Sequence, residues 1–138
     1  MPTIQISAVI LLDPDRRLLL VRKRGTTSFI QPGGKPEPGE QPLEAAVREV
    51  SEELGLHLSP ERLRFVGRFD EQAANEPDHR VAAHAFSVLL TAEEATSARH
   101  AAEIEEARWV TISEAEELPL APLTRHHFLP LVTSGITH

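Results

Sequence analysis

The sequence contains no cysteine, which excludes disulfides and thiolate metal sites outright. It contains no tyrosine, and lysine is confined to Lys23 and Lys35 although arginine is common. Basic charge is short overall. The net charge of −7 argues against the positive footprint that nonspecific nucleic-acid binding requires. A phosphate-bearing small molecule stays compatible with that charge if a bound cation inverts the local field. Long hydrophobic runs are also missing. The stretch "MPTIQISAVILLDPDRR" lacks a basic start, and its apolar segment is too short to span a bilayer. These absences lead to the expectation of a cytoplasmic protein with no nucleic-acid and no membrane partner.

What is present suits an ordinary globule. Hydrophobic residues make up 41% and charged residues 25% of 138 positions, enough chain to bury one core. No repeat, linker or low-complexity tract breaks it, so residues 1–138 are expected to form one domain. "TIQISAVILL" and "RLLLVRKR" read as antiparallel strands joined at "DPDR". "TTSFIQPGGKPEPGEQP" carries four prolines and three glycines and reads as a long irregular loop. Loops of that length in compact domains tend to be functional.

From Pro42 the period changes. Leu43, Val47, Val50 and Leu54 recur at helical spacing, with Pro42 suited to the first turn and Gly55 to the stop. Strands are expected in "LRFVGRFDEQA", "RVAAHAFSVLLT" and "EEARWVTI", around a loop "ANEPDH". A short helix is expected in "SEAEEL" and a closing helix in "PLTRHHFLPLVTS". The fold class is α/β (α+β), a mixed β-sheet sandwiched between α-helices.

The helix gathers like charge. Glu49, Glu52 and Glu53 fall within about 100° of arc beside the apolar stripe. Such neighbours lie about 5–6 Å apart and repel by roughly 3 kcal/mol at an effective dielectric near 20. A solvated acidic face offset by Arg48 is the bland explanation. The glycine-rich loop leading into the helix favours another, since it presents backbone groups beside the carboxylates. With Lys35 close by, carboxylates and carbonyls form a cradle for metal-bound phosphate, because hard cations take oxygen ligands.

The segment "GKPEPGEQPLEAAVREVSEELGL" matches G-x5-E-x7-R-E-U-x-E-E-x-G-U, where U is a bulky aliphatic residue. It does so at Gly34, Glu40, Arg48, Glu49, Val50, Glu52, Glu53, Gly55 and Leu56. This is the Nudix box, and the chain resembles a MutT-like Nudix hydrolase along essentially its whole length. The resemblance implies the Nudix fold. It implies metal ligation by Glu49, Glu52 and Glu53, with the Gly33 carbonyl and Glu103 (six residues before Trp109) as further ligands. Mg²⁺ is the implied cofactor, with Mn²⁺ as a substitute. Glu49, Glu53 or Glu103 would serve as the general base. Glu40 and Arg48, with Gly34 and Gly55, are implied to hold the box together. Lys35 and Arg22 are implied to approach the substrate's phosphates, with Lys23 turned to solvent. Phe29, beside the glycine loop, is a candidate either to stack on a base or to pack in the core, and Gln31, where the family more often carries leucine, is a candidate for the base pocket.

The implied reaction is attack of water on a phosphorus of a nucleoside diphosphate linked to X. The substrate is a small nucleotide, such as a (deoxy)nucleoside triphosphate, turned over by a monomer or homodimer. The alternative is a catalytically silent Nudix ligand-binding or regulatory domain, which a degenerate box would favour. Markers for diadenosine polyphosphate, ADP-ribose, NADH and coenzyme A substrates are missing. So is the asparagine near the last helix that reads an oxidised guanine. Seven histidines without cysteine or an H-E-x-x-H spacing do not suggest zinc. Packing and surface placement suit His126 and His127, and Trp109 reads as a core anchor.

Overall fold

A computed structural model describes residues 2–73 and 78–135. In chain order the strands are β1 (Thr3–Leu12), β2 (Leu18–Lys23), the two-residue β3 (Gly33–Gly34), β4 (Arg64–Gln72), β5 (Arg80–Leu89) and β6 (Ile104–Val110). The helices are α1 (Pro42–Leu54), α2 (Ala92–Ser97), α3 (Ile112–Glu116) and α4 (Leu129–Thr133). A widened turn, Thr124–Phe128, runs into α4. The expected loop 74–79 lies mostly outside the described residues.

One mixed sheet runs β4-β5-β1-β2-β6, with β3 pairing on β1. β1 and β5 are parallel from Thr3↔Arg80 to Leu12↔Leu89, and the other pairings are antiparallel. Val9, Ile10, Leu11 and Leu12 are all fully buried, the continuous apolar run expected of a strand covered on both faces. Ala8, Ile10, Leu12, Leu18 and Leu20 pack against Phe128 and Leu129 of the C-terminal helices. Val9, Leu11, Leu19 and Val21 pack on the other face against Ala46, Val50 and Leu54 of α1.

β1 and β2 pair at Leu12↔Leu18, near the hairpin, and the loop after β2 enters between them beyond that point. Its Ile30 exchanges both backbone hydrogen bonds with Val21, at 2.8 and 2.9 Å, and Pro32 accepts from the Val9 N–H at 2.9 Å. Gly33 and Gly34 then pair with Ala8 and Ser7. Regular pairing is thus carried into a segment read as irregular, because the diverging strands leave backbone groups that must be satisfied.

The Gln41 N–H donates to the Glu44 carboxylate at 2.8 Å at the start of α1, and the Gly55 N–H closes it on the Ser51 carbonyl at 2.9 Å. Buried Ser7 donates to the Pro42 carbonyl at 2.7 Å, fixing this helix to β1. At its far end the Leu54 and Glu53 carbonyls accept from Arg99 and Ala101. That capture leads the chain toward Glu103. The helix α2, a 3₁₀ turn at Pro60–Arg62 and the widened turn are further elements. Among the described residues, no helix is long and apolar enough to cross a membrane.

Candidate active site

The glycine pair is required by close approach. Gly33 has φ +150°, and a Cβ there would collide with the Ser7 carbonyl; one on Gly34 would collide with the Glu49 carboxylate. With no side chain between them, loop and helix meet directly. The Gly33 N–H donates to Glu53 Oε1 at 3.2 Å.

Glu53 is only 2% exposed. Burial pushes its carboxyl up to about 8, with the negative charges of Glu49 and Glu103 adding to the rise. Lys23 and the Gly33 N–H act in the opposite direction. Glu49 is partly buried against Gly34, whereas Glu52 is exposed.

Arg48 organises the rest. It donates to Glu40 at 2.8 and 3.0 Å, to Glu52 at 2.9 Å, to Glu49 at 3.2 Å and to the Lys35 carbonyl at 3.1 Å. Hydrogen bonds to Glu40 raise the Arg48 pKa, and the same contacts lower that of Glu40. A planar guanidinium with five donors can serve three carboxylates and a carbonyl at once; a lysine could not hold that geometry.

A cavity of about 600 Å³ opens beside this cluster. Gly33, Gly34, Lys35, Arg48 and Glu49 line its charged end, with Lys23. Ile4, Ile6, Ala8, Val81, Leu123 and Phe128 line its apolar end, and Gln31 and Thr124 also border it.

The orientation of β2 corrects one expectation. Lys23 follows the alternation of Leu19 and Val21 toward α1, where its charge bears on Glu53. Arg22 follows Leu18 and Leu20 to the opposite face. It donates to the Thr26 carbonyl at 2.9 Å, lies 3.4 Å from Glu106 and sits 6.0 Å from the Phe29 ring centre. A register shift against β6 falls between Arg22 and Lys23. The structure therefore turns Lys23 toward the glutamates and Arg22 away from them.

Of the two readings open for Phe29, the structure shows core packing. It is buried in the core under Arg22 and Arg108 and does not line the cavity. Gln31 does line it. Trp109 is half-buried against the α1-side core. His126 and His127 both approach Glu71, at 2.8 and 3.4 Å. Lys23 and Thr124 are cavity residues that the sequence reading did not place there. No simple pattern marks them, since β2 is apolar on both faces and Thr124 precedes a run of histidines.

Among the described residues, no three histidine, aspartate or glutamate side chains stand ready to hold a metal ion. The donor chemistry nonetheless suits a hard divalent cation. The candidates are all oxygens, and a buried carboxylate lacks enough positive charge nearby to keep it ionised at neutral pH.

Comparison with known proteins defines the class. The NUDIX domain family model matches residues 1–132. An uncharacterized Nudix hydrolase, YvcI of Bacillus subtilis, is 27% identical over 117 residues, covering 83% of this chain and 71% of that protein. The dihydroneopterin triphosphate pyrophosphohydrolase of E. coli superposes with a TM-score of 0.79 at 20% identity, over 95% and 96% of the two chains. A bifunctional NMN adenylyltransferase/ADP ribose pyrophosphatase from Francisella tularensis, complexed with AMP and a Mn ion, superposes at 0.75 and 18% identity. The match covers 96% of this chain and 42% of that one.

The fold is that of the Nudix enzymes, hydrolases acting on phosphoric anhydride bonds. The chain belongs to the Nudix domain family. Members of that family act on nucleotide-type small molecules and generally use a divalent metal.

Proposed function

We propose that this chain is a divalent-cation-dependent pyrophosphohydrolase of a nucleoside diphosphate linked to X, with a (deoxy)nucleoside triphosphate or related nucleotide as substrate. The observation that carries this reading is the cavity's polarity. Glu49 of the Nudix box, Arg48 and both lysines line the cavity, and so do Ile4, Ile6, Val81, Leu123 and Phe128 with the amides of Gln31 and Gln72, a chamber suited to a planar base.

Glu49, Glu52, Glu53 and Glu103, with the Gly33 carbonyl, would hold Mg²⁺ or Mn²⁺. When bound, the cation polarises the phosphoryl oxygens and lowers the pKa of a water ligand. The chain's own groups do the rest. Lys23 and Lys35 draw the phosphates to the acidic end, and Arg48 holds Glu49 and Glu52 in place. Water oxygen adds to phosphorus, its proton passes to a carboxylate (Glu49, Glu53 or Glu103), and the bridging P–O bond breaks toward the leaving phosphate. The test is a panel of nucleotides with Mg²⁺ and Mn²⁺ and chromatographic identification of products. A nucleoside monophosphate with a phosphorylated leaving group supports the reading. Binding without any product would favour a silent ligand-binding domain.

A further inference from the structure

Gln31 is 5% exposed and Thr124 is 1% exposed, and both border the cavity. The Thr124 hydroxyl donates to Gln31 Oε1 at 2.7 Å. The amide's other end, Nε2, is buried and has no hydrogen-bond partner among the described residues. Buried polar groups are almost always paired, so an orphaned amide needs a reason. Ser87 Oγ is also buried and unpaired, but Ser87 does not line the cavity. Of these two groups, the Gln31 amide is the one that borders a space a ligand can fill.

The surroundings define what would fill it. Ile4, Ile6, Val81, Leu123 and Phe128 offer apolar walls, Gln72 adds a second amide, and the acidic side chains of the lining are Glu37 and Glu49. Thr124 opens the widened turn, a form of helix often found at functional sites. It occupies the amide's acceptor and leaves two N–H donors unused.

We infer that Gln31 is a specificity-determining residue that selects bases with an acceptor edge, oxo bases such as guanine or uracil, over amino bases. Guanine presents two adjacent acceptors, O6 and N7, matching the two Nε2 hydrogens; uracil presents O4. Adenine and cytosine place an amino group against donors already committed to donating. Thr124 is a positioning residue that fixes which end of the amide meets the base. This inference rests on the nucleotide reading of the cavity, and it names the substrate class within it.

The test measures equilibrium binding of GMP, UMP, AMP and CMP alongside kcat/KM for the four triphosphates. Wild-type protein, Gln31→Leu and Thr124→Val are compared. Wild type is expected to favour oxo over amino bases by roughly ten- to a hundredfold, the scale of one good base-edge contact. Gln31→Leu should erase that preference, and the loss should be read in KM. Its unliganded Tm should rise, because an orphaned polar group is removed. If Leu prevents folding, Gln31→Met replaces it. Thr124→Val should shrink the preference, since the amide is then free to turn. Equal binding of all four bases, or a preference that survives Gln31→Leu or Gln31→Met, overturns the inference. A preference lost in Gln31→Leu without turnover by wild type would sustain the inference and sink the pyrophosphohydrolase reading. No binding of any nucleotide overturns both.

Discussion

The backbone N–H of Gly33 donates to Oε1 of Glu53 across 3.2 Å, joining the glycine strand to a carboxylate almost wholly withdrawn from water. That single contact links the loop inserted between β1 and β2 to the last turn of α1. It places the most perturbed acid of the Nudix box directly behind Gly33, which lines the cavity.

Replacing that acid separates chemistry from folding. Glu53→Gln keeps the shape and can still accept from Gly33, but it loses the charge. Turnover should fall by roughly 10²–10⁴-fold, the range of a lost acid–base or charge-stabilising group. The metal-free Tm should not fall. Near-wild-type turnover would move the chemistry away from this helix end.

The same carboxyl makes stability depend on pH. Its folded pKa of about 8 lies above the ordinary 4.5, so the folded state holds a proton that the unfolded chain releases first. Stability of the metal-free protein should therefore decline as pH rises from about 4.5 to about 8 and level off above that. Thermal melts across this window should show the decline in wild type and a shallower slope in Glu53→Gln. Identical slopes would show that Glu53 titrates normally.

The two neighbouring cations on β2 should behave differently. Lys23→Ala and Lys35→Ala should each lower kcat/KM by about 1.5–3 kcal/mol, roughly ten- to a hundredfold, if each ammonium meets a phosphate. Arg22→Ala should leave kcat/KM near wild type. It should reduce stability by about 0.5–1 kcal/mol through the lost contact with Phe29. Assays at fixed cation concentration separate phosphate binding from metal loss. A damaging Arg22→Ala with a silent Lys23→Ala would reverse the assigned faces of the strand.

Gly34→Ala tests the close approach between loop and helix. The added methyl must displace the Glu49 carboxylate, which Arg48 holds at 3.2 Å. Overpacking of this kind costs about 1–3 kcal/mol. Turnover should fall along with Tm, and unchanged values for both would show that Glu49 has another place to go.

Much of this was legible in the residues. The stripe Leu43, Val47, Val50 and Leu54, bracketed by Pro42 and Gly55, defines α1 within the bounds observed. The Nudix box spacing identifies the class. Where the sequence fell short, the reasons are physical. Period-two alternation shows which face of a strand is apolar, but β2 buries both faces, so it cannot say whether Arg22 or Lys23 turns toward α1. Phe29 and Gln31 are two residues apart on a loop, and the pairings of Ile30 with Val21 and of Phe29 with Leu120 settle their surroundings. Thr124 meets Gln31 across 93 residues, a separation that no local pattern encodes.

The proposed hydrolysis takes place at the acidic end of the cavity and needs a hard divalent cation there. The most direct measurement is turnover of the best nucleotide by metal-stripped protein, titrated with Mg²⁺ and Mn²⁺ in turn. Turnover is predicted to be negligible without metal and to rise saturably with either ion in wild type, while Glu53→Gln stays roughly 10²–10⁴-fold below it throughout. Full turnover by the stripped protein in excess chelator would contradict it.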